Sequence, residues 1–320
     1  MGVRVKPCGC DGGHSVKSQN VNSIHIRKTP FDNQRLSDLG VEVMTLKELR
    51  RRVPPSYFLL PERVEFFLLL LIDQGQGEHQ IDFQNVTLEP GRLIFLQPGQ
   101  VQHWHMSDTL QGTMVLVDTV VMPAQTLLSA VGPALADPLD AWPRSALLSP
   151  QDAKDIRHQM AQLQEECMRF DSNTAQSALD ILLAKTLLSC LLIQITRVHS
   201  RAQPELLAHS SAHQLARLFG QHIESQLHHR PTVHALGERL GYSASSINRA
   251  CLLATGRSAK QVIDERIALE AKRLLVHSKV STSQIGIHLG FSEATNFLKF
   301  FKRMVGCTPD GFRHRQQRIP

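Results

Sequence analysis

The sequence predicts an α+β protein: a small β-barrel or sandwich, a helical segment behind it, and an all-α domain holding two helix-turn-helix units. Three observations carry this. Short apolar runs broken by Gly and Pro turns fill residues 36 to 122. From Gln151 the apolar residues recur instead at three and four positions. Finally, "LGERLGYS" at Leu236–Ser243 returns 49 residues later as "IGIHLGFS" at Ile285–Ser292, each time ahead of a basic helix.

Residues 1–30 read as a flexible leader rich in Gly, Ser and Asn. Cys8, Cys10 and His14 there are a weak metal set, and the six cysteines form no disulfide framework, which fits a reducing compartment. The barrel or sandwich spans 31–148, with turns at Gly75–Gly77, Glu89-Pro90-Gly91 and Gln97-Pro98-Gly99. "FFLLLLI" (Phe66–Ile72) has the length of a buried strand. His103 and His105 form an HxH pattern on a strand, so both rings face one side. With Glu62 and Glu65 they would make an ion site, but the blander reading is a small-molecule pocket lined by Glu65, Gln102, His103 and His105. No metal and no cofactor is expected.

Residues 149–198 hold two helices, started by Ser149-Pro150 and separated at Asp171-Ser172-Asn173. The second is apolar around much of its surface, so it is either wholly buried or half of an interface between two copies. "ILLAKTLLSCLLIQI" (Ile181–Ile195) falls short of the roughly 20 residues of a membrane span. No targeting segment is evident, and a cytoplasmic protein without a membrane partner is expected. Residues 199–208 read as the linker.

The last part, 209–316, carries the charge. Residues 201–320 hold 17 Lys and Arg against 8 Asp and Glu, whereas the first 200 hold 18 against 21. A polyanion would meet only this half. In the repeat, Val233, Leu236 and Leu240 give a helix one apolar face, Gly241 ends it and Ser243 caps the next, with Ile247 inward. Ile285, Leu289, Gly290, Ser292 and Phe297 do the same, with one more residue between cap and anchor. Helix, tight turn and capped helix place the second helix in the DNA major groove. Between the units runs a helix of about 20 residues, ~30 Å long, close to one turn of B-DNA. Ser245, Asn248 and Arg249 face outward on the first recognition helix, and Ala294, Thr295 and Lys299 on the second. Asn pairs bidentately with adenine and Arg with guanine. Arg257, Lys302, Arg303 and Arg313 are placed to hold phosphates.

"STSQIGIHLGFSEATNFLKFFKRMVGCTPDGFRHR" (Ser281–Arg315) resembles the signature of the AraC/XylS family of bacterial transcriptional regulators, and "ERIALEAKRLL" resembles its connecting helix. "EPGRLIFLQPGQVQHWH" resembles the cupin-like effector domain of the same family. The resemblance implies a cupin-like β-barrel with a helical dimerisation segment, and base-reading roles for the six outward residues named above. It further implies a double-stranded DNA partner with half-elements about one turn apart, a small-molecule effector, contact with RNA polymerase, a homodimer, and activation of transcription. The sequence departs from the family at Ala250-Cys251, where larger apolar residues are usual, and at Lys299, where Arg is common. An enzyme reading would need a complete facial triad or His cluster, which the chain does not display. A regulator controlled by its abundance, or an architectural DNA binder, are the remaining readings.

Overall fold

The computed structural model describes residues 26–106, 109–121, 142–172, 174, 176–202 and 211–317. Most of the expected leader, with Cys8, Cys10 and His14, lies outside the described residues, as do Asn173 and residues 203–208 of the expected linker. Contacts divide the chain into two compact units, one built on Arg27–Leu207 and the other on Ala208–Pro320.

The first unit contains strands β1 (Lys28–Thr29), β2 (Val41–Thr45), β3 (Glu62–Val64), β4 (Phe67–Gln74), β5 (Gly77–Ile81), β6 (Gln84–Leu88), β7 (Arg92–Leu96), β8 (Val101–Met106), β9 (Gln111–Val117) and β10 (Ser145–Leu147). Its helices are α1 (Leu46–Arg52), α2 (Pro150–Arg169) and α3 (Ser177–Ala202). The expected cupin-like barrel is not what forms. The strands make two separate five-stranded sheets, ordered β1-β3-β8-β5-β6 and β10-β7-β4-β9-β2. Two of the edge strands, β1 and β10, are two and three residues long, too short for a hydrogen-bonded seam. Among the described residues the sheets therefore stay an open sandwich, the alternative left by the strand spacing alone.

Strand β4 shows why the chain layers as it does. Leu68, Leu70 and Ile72 point between the sheets, where they meet Ile81, Leu88 and Trp104. Leu69 and Leu71 point the other way, into a second core with Ile156, Met160 and Leu163 of α2 and Leu188, Leu191 and Ile195 of α3. A strand buried on both faces needs an unbroken apolar run, which "FFLLLLI" supplies. Helix α3 thus has one buried face, and Leu179, Leu182, Leu183 and Ile193 leave an exposed apolar one. Over Ser177–Arg201 it is also long and apolar enough to cross a membrane, although its inner face belongs to the core just described.

The second unit is all helical: α4 (Ser211–Gln226), α5 (Val233–Leu240), α6 (Ala244–Thr255), α7 (Ala259–His277), α8 (Thr282–His288), α9 (Ala294–Val305) and α10 (Pro309–Gln317). One core joins Phe219 and Ile223 of α4, Ile247 of α6, Ile267 and Leu274 of α7, Ile285 of α8, and Phe297 and Phe301 of α9. Capping is regular. Thr232, Ser243, Ser258 and Ser281 each accept a hydrogen bond from an amide in the first turn that follows.

Candidate nucleic-acid interface

Two helix pairs, α5–α6 and α8–α9, meet tightly for the same reason. A Cβ on Gly237 would stand 2.7 Å from the Tyr242 carbonyl, and one on Gly286 would stand 2.9 Å from Phe297 Cβ. Glycine at these sites lets each first helix lie close against the turn or the recognition helix. Gly241 then ends α5 at φ 72, where other L-residues are strained. The second recognition helix differs from expectation at its start. Its N-cap is Glu293, whose side chain makes no cap hydrogen bond, rather than Ser292. The interval from cap to core anchor is therefore the same in both copies, Ser243 to Ile247 and Glu293 to Phe297. Helices α6 and α9 match residue for residue at an offset of 50.

That register sorts the outward side chains. With Ile247, Ala250 and Cys251 buried, Ser245, Arg249 and Leu252 form the exposed stripe of α6. Their counterparts on α9 are Thr295, Lys299 and Lys302. Ala294 is only half-exposed and sits at the edge of this face. Asn296, an exposed residue on the flank of α9 three positions before Lys299, was not singled out by sequence pattern. Asn248 is half-buried, and its Oδ1 accepts a hydrogen bond from the Ala259 amide at 3.1 Å.

The four cations assigned to phosphates fare differently. Lys302 is exposed. Arg257 pairs with Glu265 on α7. Arg303 pairs with Asp264 at 3.2 Å, and the same carboxylate holds Lys260 at 3.1 Å. Arg313 donates to the Leu275 and Val280 carbonyls at 2.8 and 2.5 Å, so it locks α10 onto the end of α7. Where α9 presents Lys302 and Arg303, α6 presents the exposed Leu252 and Leu253. The cationic grip is therefore uneven between the copies.

In the first unit the expected pocket set is divided by strand alternation. Gln102 and Trp104 point into the sandwich, opposite Ile81 and His79, whereas His103 and His105 point outward opposite Gln80 and Glu78. The two outward rings lie 4.4 Å apart, and Glu65 is held by Lys28 at 2.7 Å. Burial, then the neighbouring His105, holds the His103 imidazole below its ordinary value. The inward set joins Glu62, offered by the sequence as an ion ligand with Glu65, to Tyr57 and His79, which the sequence pattern did not single out. Glu62, fully buried, accepts hydrogen bonds from Tyr57 at 2.7 Å and Gln102 at 2.8 Å, and an ion pair from Arg27. His79 is fully buried 4.1 Å from the Trp104 ring, and neither of its nitrogens finds a partner among the described residues. The same holds for Gln102 Oε1 and Trp104 Nε1, although Gln102 stands close beside the His79 ring. Among the described residues no three His, Cys, Asp or Glu side chains converge as a metal site would require.

Burial pushes the His79 imidazole down to about 3 from 6.5, with Gln102 favouring the charged ring and His105 and His103 opposing it. Its folded value lies below its unfolded one, so the stabilisation is whole above pH 6.5 and is lost as the pH falls toward 3. Urea midpoints should show the first unit losing about 1 kcal/mol more between pH 6.5 and 5.5 in the natural protein than in His79→Gln. Equal losses in the two proteins would show that His79 is not the group being protonated.

Paired helix-turn-helix units on a shared core, in one chain with a β-sandwich of polar interior, define a DNA-binding regulator. Residues 236–315 match the helix-turn-helix domain family and residues 49–192 the AraC-like ligand binding domain family. The chain belongs to the AraC/XylS family of transcriptional regulators; it is a sequence-specific DNA-binding protein. It is 22% identical to the HTH-type transcriptional activator RhaS of Klebsiella pneumoniae (strain 342), over 92% of this chain and 98% of that protein. To RhaS of Escherichia coli O157:H7 it is 23% identical, over 82% of this chain and 90% of the relative. Among solved structures, ToxT from Vibrio cholerae aligns with 79% of this chain and 91% of its own at 12% identity, with a TM-score of 0.38.

Proposed function

We propose that this regulator is an activator whose two recognition helices enter successive major grooves on one face of the duplex. The observation that carries the reading is the 50-residue register between α6 and α9, with matching outward stripes joined by the single helix α7. At ~1.5 Å per residue α7 is about 28 Å long, commensurate with one turn of B-DNA. Base reading falls to Ser245 and Arg249 on α6 and to Thr295, Asn296 and Lys299 on α9, with Ala294 at the edge. Lys302 and Arg303 grip phosphate, the latter by exchanging Asp264 for DNA. Activation is supported by the two RhaS relatives, which are activators by name.

The first unit senses a small molecule between its sheets, on the polar floor formed by His79, Gln102 and Trp104. The four unpaired atoms there, two on His79 and one on each neighbour, call for partners that both donate and accept. The Glu62 charge is already compensated by Arg27, so an uncharged ligand with hydroxyl or amide groups fits best. The exposed face of α3, with Leu179, Leu182, Leu183 and Ile193, suits a second copy of the chain. Contact with RNA polymerase completes an activator's task, which places the protein in the bacterial cytoplasm.

Selection of bound duplexes from a random pool, followed by footprinting, tests the reading. Two short sequence blocks about 10 base pairs apart, protected on one face, are expected. A single enriched block would overturn paired-groove reading, and random enrichment would leave an architectural binder. The winning duplex then serves to screen uncharged effectors by the change in its affinity.

A further inference from the structure

The duplication inside this chain offers an internal comparison at the junction between each recognition helix and the helix after it. The junctions correspond closely. Ile247 and Phe297 are buried anchors, Gly256 and Gly306 end the helices at φ 70 and 79, and Ser258 and Thr308 lead into α7 and α10. At the offset of 50, two positions change together. The first copy has Asn248 and Ala259, whereas the second has Leu298 and Pro309.

These four residues form a matched pair of solutions. Ala259 is the first residue of α7 and is fully buried, so its amide has no helical acceptor and no access to water. Asn248 Oδ1 accepts from it at 3.1 Å. The neighbouring donors are served elsewhere: the Ser258 side chain accepts from the Gln261 amide, and the Gln261 side chain accepts from the Ser258 amide. In the second copy Pro309 has no amide hydrogen, and Leu298 offers no acceptor. Donor and acceptor are present together in one copy and absent together in the other. Meanwhile, bidentate pairing with adenine needs the same amide oxygen that Ala259 occupies.

We infer that Asn248 is a positioning residue: it ties α6 to the buried start of α7, fixing the first recognition helix on its spacer. Base reading in the first unit rests on Ser245 and Arg249. This inference rests on the DNA-reading proposal for its binding readout, but not for its stability readout.

The test transplants the second copy's solution into the first. Ser258 already has the extended backbone, φ −66 and ψ 154, that a following proline requires, and proline suits the first position of a helix. Affinities are measured by fluorescence anisotropy for the selected duplex and for every single-base change in its first block, together with thermal melting of each protein. Asn248→Leu alone should weaken all these duplexes by about tenfold, leave the ranking of bases at each position unchanged, and lower the melting temperature. Adding Ala259→Pro removes the stranded donor and should restore both affinity and melting. The inference is overturned if Asn248→Leu flattens the preference at one adenine and the double variant keeps it flat. It is also overturned if the double variant melts no higher than Asn248→Leu. If the natural protein selects no duplex at all, paired reading fails, while the melting of the two variants still decides the tie.

Discussion

A Phe297→Ala protein is expected to lose about 3–5 kcal/mol from the folding of its C-terminal unit. Phe297 is fully buried in the core of that unit. Its ring packs 5.4 Å from Phe291 and 5.9 Å from Phe301, and its Cβ faces Gly286, which has no side chain to fill a gap. Alanine would leave a cavity that the closely packed helices α8 and α9 cannot collapse to fill, because their separation is already set by that glycine. The N-terminal cores share no residue with this cluster. Calorimetry should therefore show the transition of one unit displaced and that of the other retained. Footprints of whatever folded fraction remains should lose the block read by α9 first. A loss under 1 kcal/mol would mean that the second unit repacks, and that its aromatic cluster does not set the helix angle.

Much of this second unit was legible because its local signals agree with one another. Gly241, the Ser243 cap and the inward Ile247 each point to the same helix, turn and helix, and the repeat supplies an independent copy. The register error at Ser292 shows where local chemistry misleads. Serine is the better cap by type, yet Gly290 and Phe291 carry the chain so that Glu293 falls at the helix start without a side-chain cap bond. Asn248 shows a related limit of local pattern. Outward placement on a helix wheel says nothing of a neighbouring helix whose buried amide competes for the same oxygen.

The first unit was legible as strands but not as a closed or open assembly. Closure depends on which edges are long enough to pair, and alternation within a strand does not report that. The hairpin between β5 and β6 was hidden as well. Its two turn residues, Asp82 and Phe83, take positive φ without any glycine to mark them. Asp82 is held there by the Val101 amide at 3.2 Å and by Gln100 at 3.1 Å, contacts made across the sheet. Helix α1 did have a signal, the Thr45–Glu48 capping box, but it is short and lies among strand-like runs. The polar interior of the sandwich fell between two patterns. His103 and His105 attract notice as a pair, whereas His79 and Gln102 come together only through the β5–β8 register.

Arg249 and Lys302 separate the two ways a recognition helix holds DNA, and their alanine variants are expected to diverge. Arg249 is exposed on the outward stripe of α6, one turn beyond Ser245, and no ion pair among the described residues holds its guanidinium. In the groove it can make the two parallel hydrogen bonds that single out a guanine. Arg249→Ala should cost about 1–3 kcal/mol on the selected duplex and relax the preference at one position only. Lys302 lies one turn beyond Lys299, nearer the C-terminal end of α9, where the proposed docking puts it at the rim of the groove. A lysine there meets a phosphate as a point charge and releases a counterion whatever the base. Lys302→Ala should weaken every duplex alike and shallow the slope of log affinity against log salt by about one. The asymmetry between the copies sharpens the comparison. Leu252 stands at the place of Lys302 in the first unit, so Leu252→Lys should add to the salt slope what Lys302→Ala removes. If Arg249→Ala and Lys302→Ala instead produced the same uniform loss, the outward stripe of α6 would be a phosphate grip, and discrimination would have to reside in α9 alone.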